Sequence, residues 1–186
     1  MRRWITRAEF ESLMETGVFP REERLELIAG ELTRREPVNT AHAVAVRLVQ
    51  IALEQVLGAG YDVRPQLSLA LSEFDIPFPD IAVVTGSLRD YLELHPTTAL
   101  LVVEVSEASL KTDRAVKGSL YASAGIPEYW ILNLRERTLE VYREPAADAR
   151  AVYGAAYRWR QVYAAGEQLC PLFAPDAPLA VERLLP

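Results

Sequence analysis

Lysine is almost absent from this chain. Of 20 basic residues only Lys111 and Lys117 are lysines, and arginine supplies the rest. An arginine is a wide, permanently charged fork, whereas a lysine is a compact point charge whose pKa can shift, so each remaining lysine merits separate attention. Cysteine occurs once, at Cys170, and histidine twice, at His42 and His95. These counts exclude an intrachain disulfide and leave no Cys/His set with zinc spacing. No stretch of about 18 apolar residues is present, so no membrane-spanning helix is expected. The start Met1-Arg2-Arg3-Trp4-Ile5-Thr6 lacks the apolar run of a signal peptide, and a cytoplasmic protein is expected. A surplus of positive charge is also missing. The net charge of -6 argues against tight, non-specific duplex binding, which needs a basic surface. A bound divalent cation or a local arginine patch can reverse the field at one place.

What is present is an ordinary soluble composition, half hydrophobic and a quarter charged, over 186 residues. That suits one domain with one sizeable core, and no linker divides the chain. Thr6-Arg7-Ala8-Glu9 reads as a capping box opening a short helix with Phe10, Leu13 and Met14 on its apolar face, ended by Gly17. Alternation on either side of Ala29-Gly30 predicts a hairpin of residues 24–28 and 31–35. A helix is expected from Thr40 to Leu57, with Val44, Leu48, Ile51 and Leu57 as its buried stripe. Strands are expected at Tyr61–Leu71, Asp80–Thr85, Ala99–Val105 and Glu128–Leu134. A helix starting at Ser109 or Thr112 and running to about Ala124 separates the last two, which implies one parallel crossover. Thr138–Tyr142 and Tyr157–Tyr163 read as hairpin strands flanking a polar loop at 145–150. Pro178–Leu185 reads as a short amphipathic helix. The sum is a mixed α/β sheet.

Two acidic residues stand out. Glu104 interrupts the apolar run Leu100-Leu101-Val102-Val103-Glu104-Val105-Ser106, where a carboxylate is costly unless paired or metal-bound. Asp80 opens another apolar strand. If the two strands are neighbours, both carboxylates converge on one hard cation, and Mg²⁺ (or Mn²⁺) with its oxygen preference suits such a site. The same residues also suit a turn-capping Asp and a Glu that ion-pairs with arginine. On the following helix Asp113, Lys117 and Tyr121 are spaced by four and share a face. They read either as a surface pair with an aromatic neighbour or as a lysine reaching back toward Glu104. There the lysine can position a metal-bound water, deprotonate it as the neutral amine, or as the ammonium stabilise a pentavalent phosphate transition state. Glu26 in its hairpin suits a supporting carboxylate or a surface ion pair. His42 at its helix start suits a general base, a phosphate contact or a structural residue. Gln66 is expected to line the same cleft. Tyr153, Tyr157, Trp159 and Tyr163, with Arg158 and Arg160, suit base stacking, or a hairpin packing on itself or, preferably, on a second subunit.

Pro79-Asp80-Ile81-Ala82-Val83-Val84, Leu101-Val102-Val103-Glu104-Val105-Ser106, then Asp113, Lys117 and Tyr121, and Gly125-Ile126-Pro127-Glu128-Tyr129-Trp130-Ile131 together resemble the Uma-two family. Its members are bacterial proteins placed in the PD-(D/E)XK restriction-endonuclease-like superfamily. Arg24-Leu25-Glu26-Leu27-Ile28-Ala29-Gly30-Glu31-Leu32 and His42 match the family's N-terminal pattern, and the resemblance spans roughly residues 20 to 145. It implies an αβββαβ core, followed here by C-terminal hairpins over about 146–186, and a metal-dependent phosphodiesterase site. Asp80 and Glu104 would match the motif's acids and, with the Val105 backbone carbonyl, hold Mg²⁺ or Mn²⁺. The motif's lysine position carries Ser106, so Lys117 would supply that charge from the next helix, with Glu26, His42, Gln66, Asp113 and Tyr121 assisting. The expected function is a nuclease acting on DNA, as a homodimer or higher homo-oligomer. The alternatives are a binding or assembly module without turnover, or a hydrolase of a smaller phosphodiester.

Overall fold

The computed structural model describes residues 3–20, 23–35 and 39–186. Helix α1, Arg7–Glu15, begins at the expected capping box: the Glu9 amide donates to Thr6 Oγ1 at 3.3 Å and the Thr6 amide to Glu9 Oε2 at 3.0 Å. Its apolar face is narrower than expected, since only Phe10 is buried and Met14 is exposed. Strands β1 (Leu25–Ile28) and β2 (Glu31–Arg34) form the expected hairpin. Its turn residues Ala29 and Gly30 have φ of 52° and 72°, the pair of positive values that a tight two-residue turn requires. A Cβ on Gly30 would also meet Trp4 Cβ at 2.8 Å.

The main sheet has six strands in the order β3-β4-β5-β6-β7-β8. They are Tyr61–Pro65, Ile81–Thr85, Leu101–Ser106, Glu128–Asn133, Thr138–Ala147 and Ala155–Ala164. All neighbours are antiparallel except β5 and β6, the single parallel pair that the intervening helix predicts. Strand β3 stops at Pro65 instead of continuing to Leu71, because Gln66 turns the chain with φ of 51°. Pro65 and Gln66 thereby redirect the backbone toward Asp80, whose carbonyl accepts from the Gln66 amide at 3.0 Å. Strands β7 and β8 run longer than their apolar alternation suggests. Pro145 is tolerated inside β7 because β6 ends its pairing at Arg143, leaving β8 as the only neighbour there.

Helix α2, Thr40–Val56, covers one face of the sheet. Its buried residues are Ala45, Val46, Val49, Ala52 and Leu53, so the stripe is rotated from the expected one, and Val44 is exposed. Two alanines on the contact line let the helix lie close to Val103 and Val105, which outweighs the larger side chains on the flank. The opposite face is covered by α3, a continuous helical segment made of Leu110–Thr112, a wide π turn at Asp113–Lys117, and Gly118–Ser123. The wide turn exposes the Asp113 carbonyl to Tyr129 Oη, which donates at 3.1 Å. At Gly118 a Cβ would press on that carbonyl at 3.3 Å.

The segment after β8 departs from expectation. Short strands β9 (Gln168–Leu169) and β10 (Leu179–Ala180) pair, and the expected amphipathic helix is reduced to a 3₁₀ turn at Val181–Leu184 with Val181 and Leu184 inward and Glu182 and Arg183 outward. Backbone bonds from Val181 to Glu167 and from Glu182 to Ala165 hold it extended, while Val181, Leu184 and Leu185 join the core beneath α2. Of the readings offered for the tail aromatics, packing of the hairpin on its own chain is seen. Tyr153 and Tyr157 pack on the α3-side core and Trp159 and Tyr163 on the α2-side core, so this hairpin's rings cover its own chain. Among the described residues no helix is long and apolar enough to cross a membrane.

Candidate functional site

Sheet register creates the site. Strands β4 and β5 pair Ile81 with Val103 in antiparallel order, so the next step outward sets Asp80 beside Glu104. The alternation of β5 sends Val103 and Val105 toward α2 and Val102 and Glu104 toward α3. Asp80 is held by its surroundings. Its Oδ2 accepts from the Val105 amide at 2.9 Å and lies 3.1 Å from His42 Nε2; Oδ1 accepts from Gln66 Nε2 at 3.5 Å and lies 3.7 Å from an Arg35 guanidinium nitrogen. Because N–H and C=O of one strand residue share an edge, the Val105 carbonyl lies on the same side as that amide.

Glu104 is buried, and both of its hydrogen bonds fall on Oε1, from Lys117 Nζ at 3.0 Å and Tyr121 Oη at 2.7 Å. Lys117 Nζ also stands 4.0 Å from Glu26 Oε2, which accepts from the Phe78 amide at 3.3 Å. Asp113 is buried beneath them and accepts from Ser109 Oγ at 2.5 Å. Ser106, fully buried where the motif has lysine, places its hydroxyl 3.4 Å from that of Ser109. A cleft of about 410 Å³ opens over the group, walled by Thr33 and Arg35 on one side and Ser109 and Thr112 on the other.

The charge balance is unusual. Glu26, Asp80, Glu104 and Asp113 are all buried, and one ammonium stands among them. Burial, reinforced by Asp80 and Asp113 against the pull of Lys117, pushes the Glu104 carboxyl up to about 7. Burial also raises Asp113. For Asp80 burial is outweighed by the bond from His42 and the Val105 amide, and its pKa falls. Burial opposes the charge on Lys117, but Glu104, Glu26 and Asp113 outweigh it and raise its pKa. His42 follows the same logic: burial is outweighed by Asp80, and its pKa rises. The surrounding acids favour the charged lysine, which suits orienting a water or stabilising negative charge.

The structure thus brings together Asp80, Glu104, Lys117, Glu26, His42, Gln66, Asp113 and Tyr121. Glu26 is buried rather than part of a surface pair, and Asp113 and Lys117 are not a surface pair either. Gln66 reaches Asp80 from the turn after β3, not from within a strand. Sequence reading missed Arg35, whose position on the Glu26 face follows from hairpin register, and Ser109. It also missed Asn39, whose Oδ1 caps α2 by accepting from the His42 amide at 2.9 Å. Among the described residues no three His, Cys, Asp or Glu side chains form a ready-made metal cage. The donors suit a hard cation that keeps much of its water: two carboxylates in register, one backbone carbonyl, and a Glu104 Oε2 that carries none of that residue's hydrogen bonds.

A family model, Uma2, described as "Putative restriction endonuclease", matches residues 7–182. Among solved structures the chain resembles the crystal structure of a putative nuclease belonging to DUF820 from Anabaena variabilis ATCC 29413. Identity is 16%, coverage is 97% of each chain, and the TM-score is 0.71. That likeness shows a shared restriction-endonuclease-like fold. A comparison with curated proteins gives no match.

Proposed function

From the premise that the chain belongs to the Uma2 family, we propose that it is a divalent-metal-dependent nuclease that hydrolyses phosphodiester bonds of DNA. The observation that carries this reading is the reach of Lys117 from α3 to Glu104, 3.0 Å away, beside an Asp80 fixed by the Val105 amide. Only the position of an ammonium matters to a developing charge, not the element that bears it, so Lys117 replaces the lysine absent at position 106. Asp80, Glu104 and the Val105 carbonyl would hold Mg²⁺ or Mn²⁺. The ion, once bound, supplies charge stabilisation at the phosphate and makes water easier to deprotonate. Lys117 orients the attacking water, Tyr121 fixes the Glu104 carboxylate, and Gln66 and His42 fix Asp80. Glu26 and Asp113 keep the lysine charged.

The test is cleavage of plasmid and linear DNA with Mg²⁺ or Mn²⁺, for the native chain and for Asp80→Ala and Glu104→Ala. Cleavage is expected in the native protein and a loss of about a thousandfold or more in each variant, with folding confirmed by circular dichroism. Activity that survives both changes overturns the assignment. A second reading, nucleic-acid binding without turnover, draws on the engagement of Lys117 by Glu104 itself and on the net charge of -6. It predicts metal-dependent DNA binding with no cleavage in the same assay.

A further inference from the structure

The open end of the β1–β2 hairpin carries an arrangement that folding alone disfavours. The register that pairs Leu25 with Arg34 sets Arg24 directly opposite Arg35, and the Arg35 amide donates to the Arg24 carbonyl at 2.7 Å. Like charges placed directly opposite on one face of a hairpin repel. Strand alternation puts Arg24 and Arg35 on the same face as Glu26 and Thr33, and Glu26, Thr33 and Arg35 all line the cleft. The other face carries Leu25, Leu27 and Leu32, which pack on Phe10 and Ile76.

Neither guanidinium is satisfied by a close carboxylate. Arg35 is largely buried, and its one ion pair among the described residues is to Asp80 Oδ1 at 3.7 Å, beyond hydrogen-bond range. It is steadied over the Phe78 ring at 5.7 Å. Arg24 is half-buried, and its guanidinium has no hydrogen bond or ion pair among the described residues. Burial and the neighbouring Arg35 both work against its charge. Elsewhere in this chain partly buried arginines are met by carboxylates: Arg114 and Arg160 by Glu140, and Arg143 by Glu128. Arg35, in loose reach of Asp80, and Arg24 opposite it, with no carboxylate partner among the described residues, offer two forks to an anion with several oxygens.

We propose that Arg24 and Arg35 form a phosphate clamp that holds the nucleic-acid phosphate next to the one positioned at Asp80 and Glu104. The clamp rests on the nuclease reading for its ligand, but its existence is testable without metal or cleavage. It also answers the acidic net charge: the strand is gripped by two local forks, not by a basic surface.

The experiment is calorimetric binding of thymidine 3′,5′-bisphosphate to the full chain in EDTA, with a single-stranded oligonucleotide as a second probe. Native protein is expected to bind the bisphosphate, and Arg24→Gln and Arg35→Gln each to weaken it about tenfold or more. Asp80→Asn is expected to bind at least as tightly, since it removes a neighbouring negative charge. Arg24→Lys, which keeps charge but loses the fork, is expected to fall between. Melting temperature separates a clamp from a structural arginine: Arg24→Gln relieves repulsion and is expected to melt no lower than the native chain. Oligonucleotide binding with the same losses assigns the clamp to a strand; bisphosphate binding alone assigns it to a small nucleotide. No binding by the native chain, affinity indifferent to both arginines, or a melting temperature lowered in Arg24→Gln overturns the clamp. Failure of metal-dependent cleavage with the clamp intact would overturn only the nuclease reading.

Discussion

Two groups of buried carboxylates lie on the same sheet, and they are treated in opposite ways. On β7, Glu140 is fully buried and is met by Arg114, by Arg160 at 3.0 Å and by Tyr142 Oη at 2.6 Å. Burial alone would raise its pKa, but those partners outweigh it and lower it. On β5, Glu104 is also buried, and there burial, reinforced by Asp80 and Asp113, outweighs Lys117 and Tyr121 and raises its pKa to about 7. The residue type and the strand context are alike. The difference is that Glu140 alone receives two half-exposed guanidinium groups, whereas Glu104 shares Lys117 with Glu26 and Asp113, and such a surplus of buried negative charge gives a site appetite for a divalent ion. Structural acids are compensated within the fold, whereas the Glu104 group leaves part of its compensation to something that binds.

The largest effect should follow removal of the one ammonium. Lys117→Met leaves the acids facing one another and is expected to cost about 3–5 kcal/mol at pH 8 in EDTA, measured by urea unfolding. The cost should shrink at pH 5, where Glu104 takes up a proton, and Mg²⁺ should restore part of it at pH 8. An unchanged unfolding midpoint would break the comparison.

Next in size is the pH dependence of the native chain without metal. Glu104 holds its proton in the folded state up to about 7, whereas its ordinary value is 4.5. Between those values the folded state binds more protons than the unfolded state, so stability falls as pH rises, by about 3 kcal/mol in all. Glu104→Gln should flatten that slope and raise the melting temperature at pH 8, and calorimetric scans from pH 4.5 to 8 check both.

The smallest effect is the mirror experiment on β7. Glu140→Gln should destabilise the protein at pH 8 by about 1–2 kcal/mol, as Arg114 and Arg160 lose a charged acceptor but return partly to solvent. Opposite signs for the two Glu→Gln changes would sharpen the contrast; equal signs would remove it.

Much of this was legible along the chain. The Thr6–Glu9 cap, the Ala29-Gly30 turn and the lone parallel crossover follow from neighbouring residues, because caps and turns are local events. Asp80 and Glu104 could be singled out because a carboxylate in an apolar strand has few comfortable fates. The buried stripe of α2 was misjudged because two alanines set the closest approach, which depends on the sheet beneath. The C-terminal helix was misjudged because Val181 and Glu182 are held by backbone partners in Glu167 and Ala165. Propensity cannot anticipate partners supplied by a preceding hairpin.

By itself the sequence determined which residues were unusual: acids inside apolar strands and a lysine where arginine is the rule. Only the tertiary structure decided that they meet. Strand order and register set Asp80 beside Glu104, and the π turn of α3 accompanies the reach of Lys117 to both Glu104 and Glu26. The physical reason is that alternation along a strand fixes which face a side chain takes, whereas the packing of distant segments fixes what it finds there.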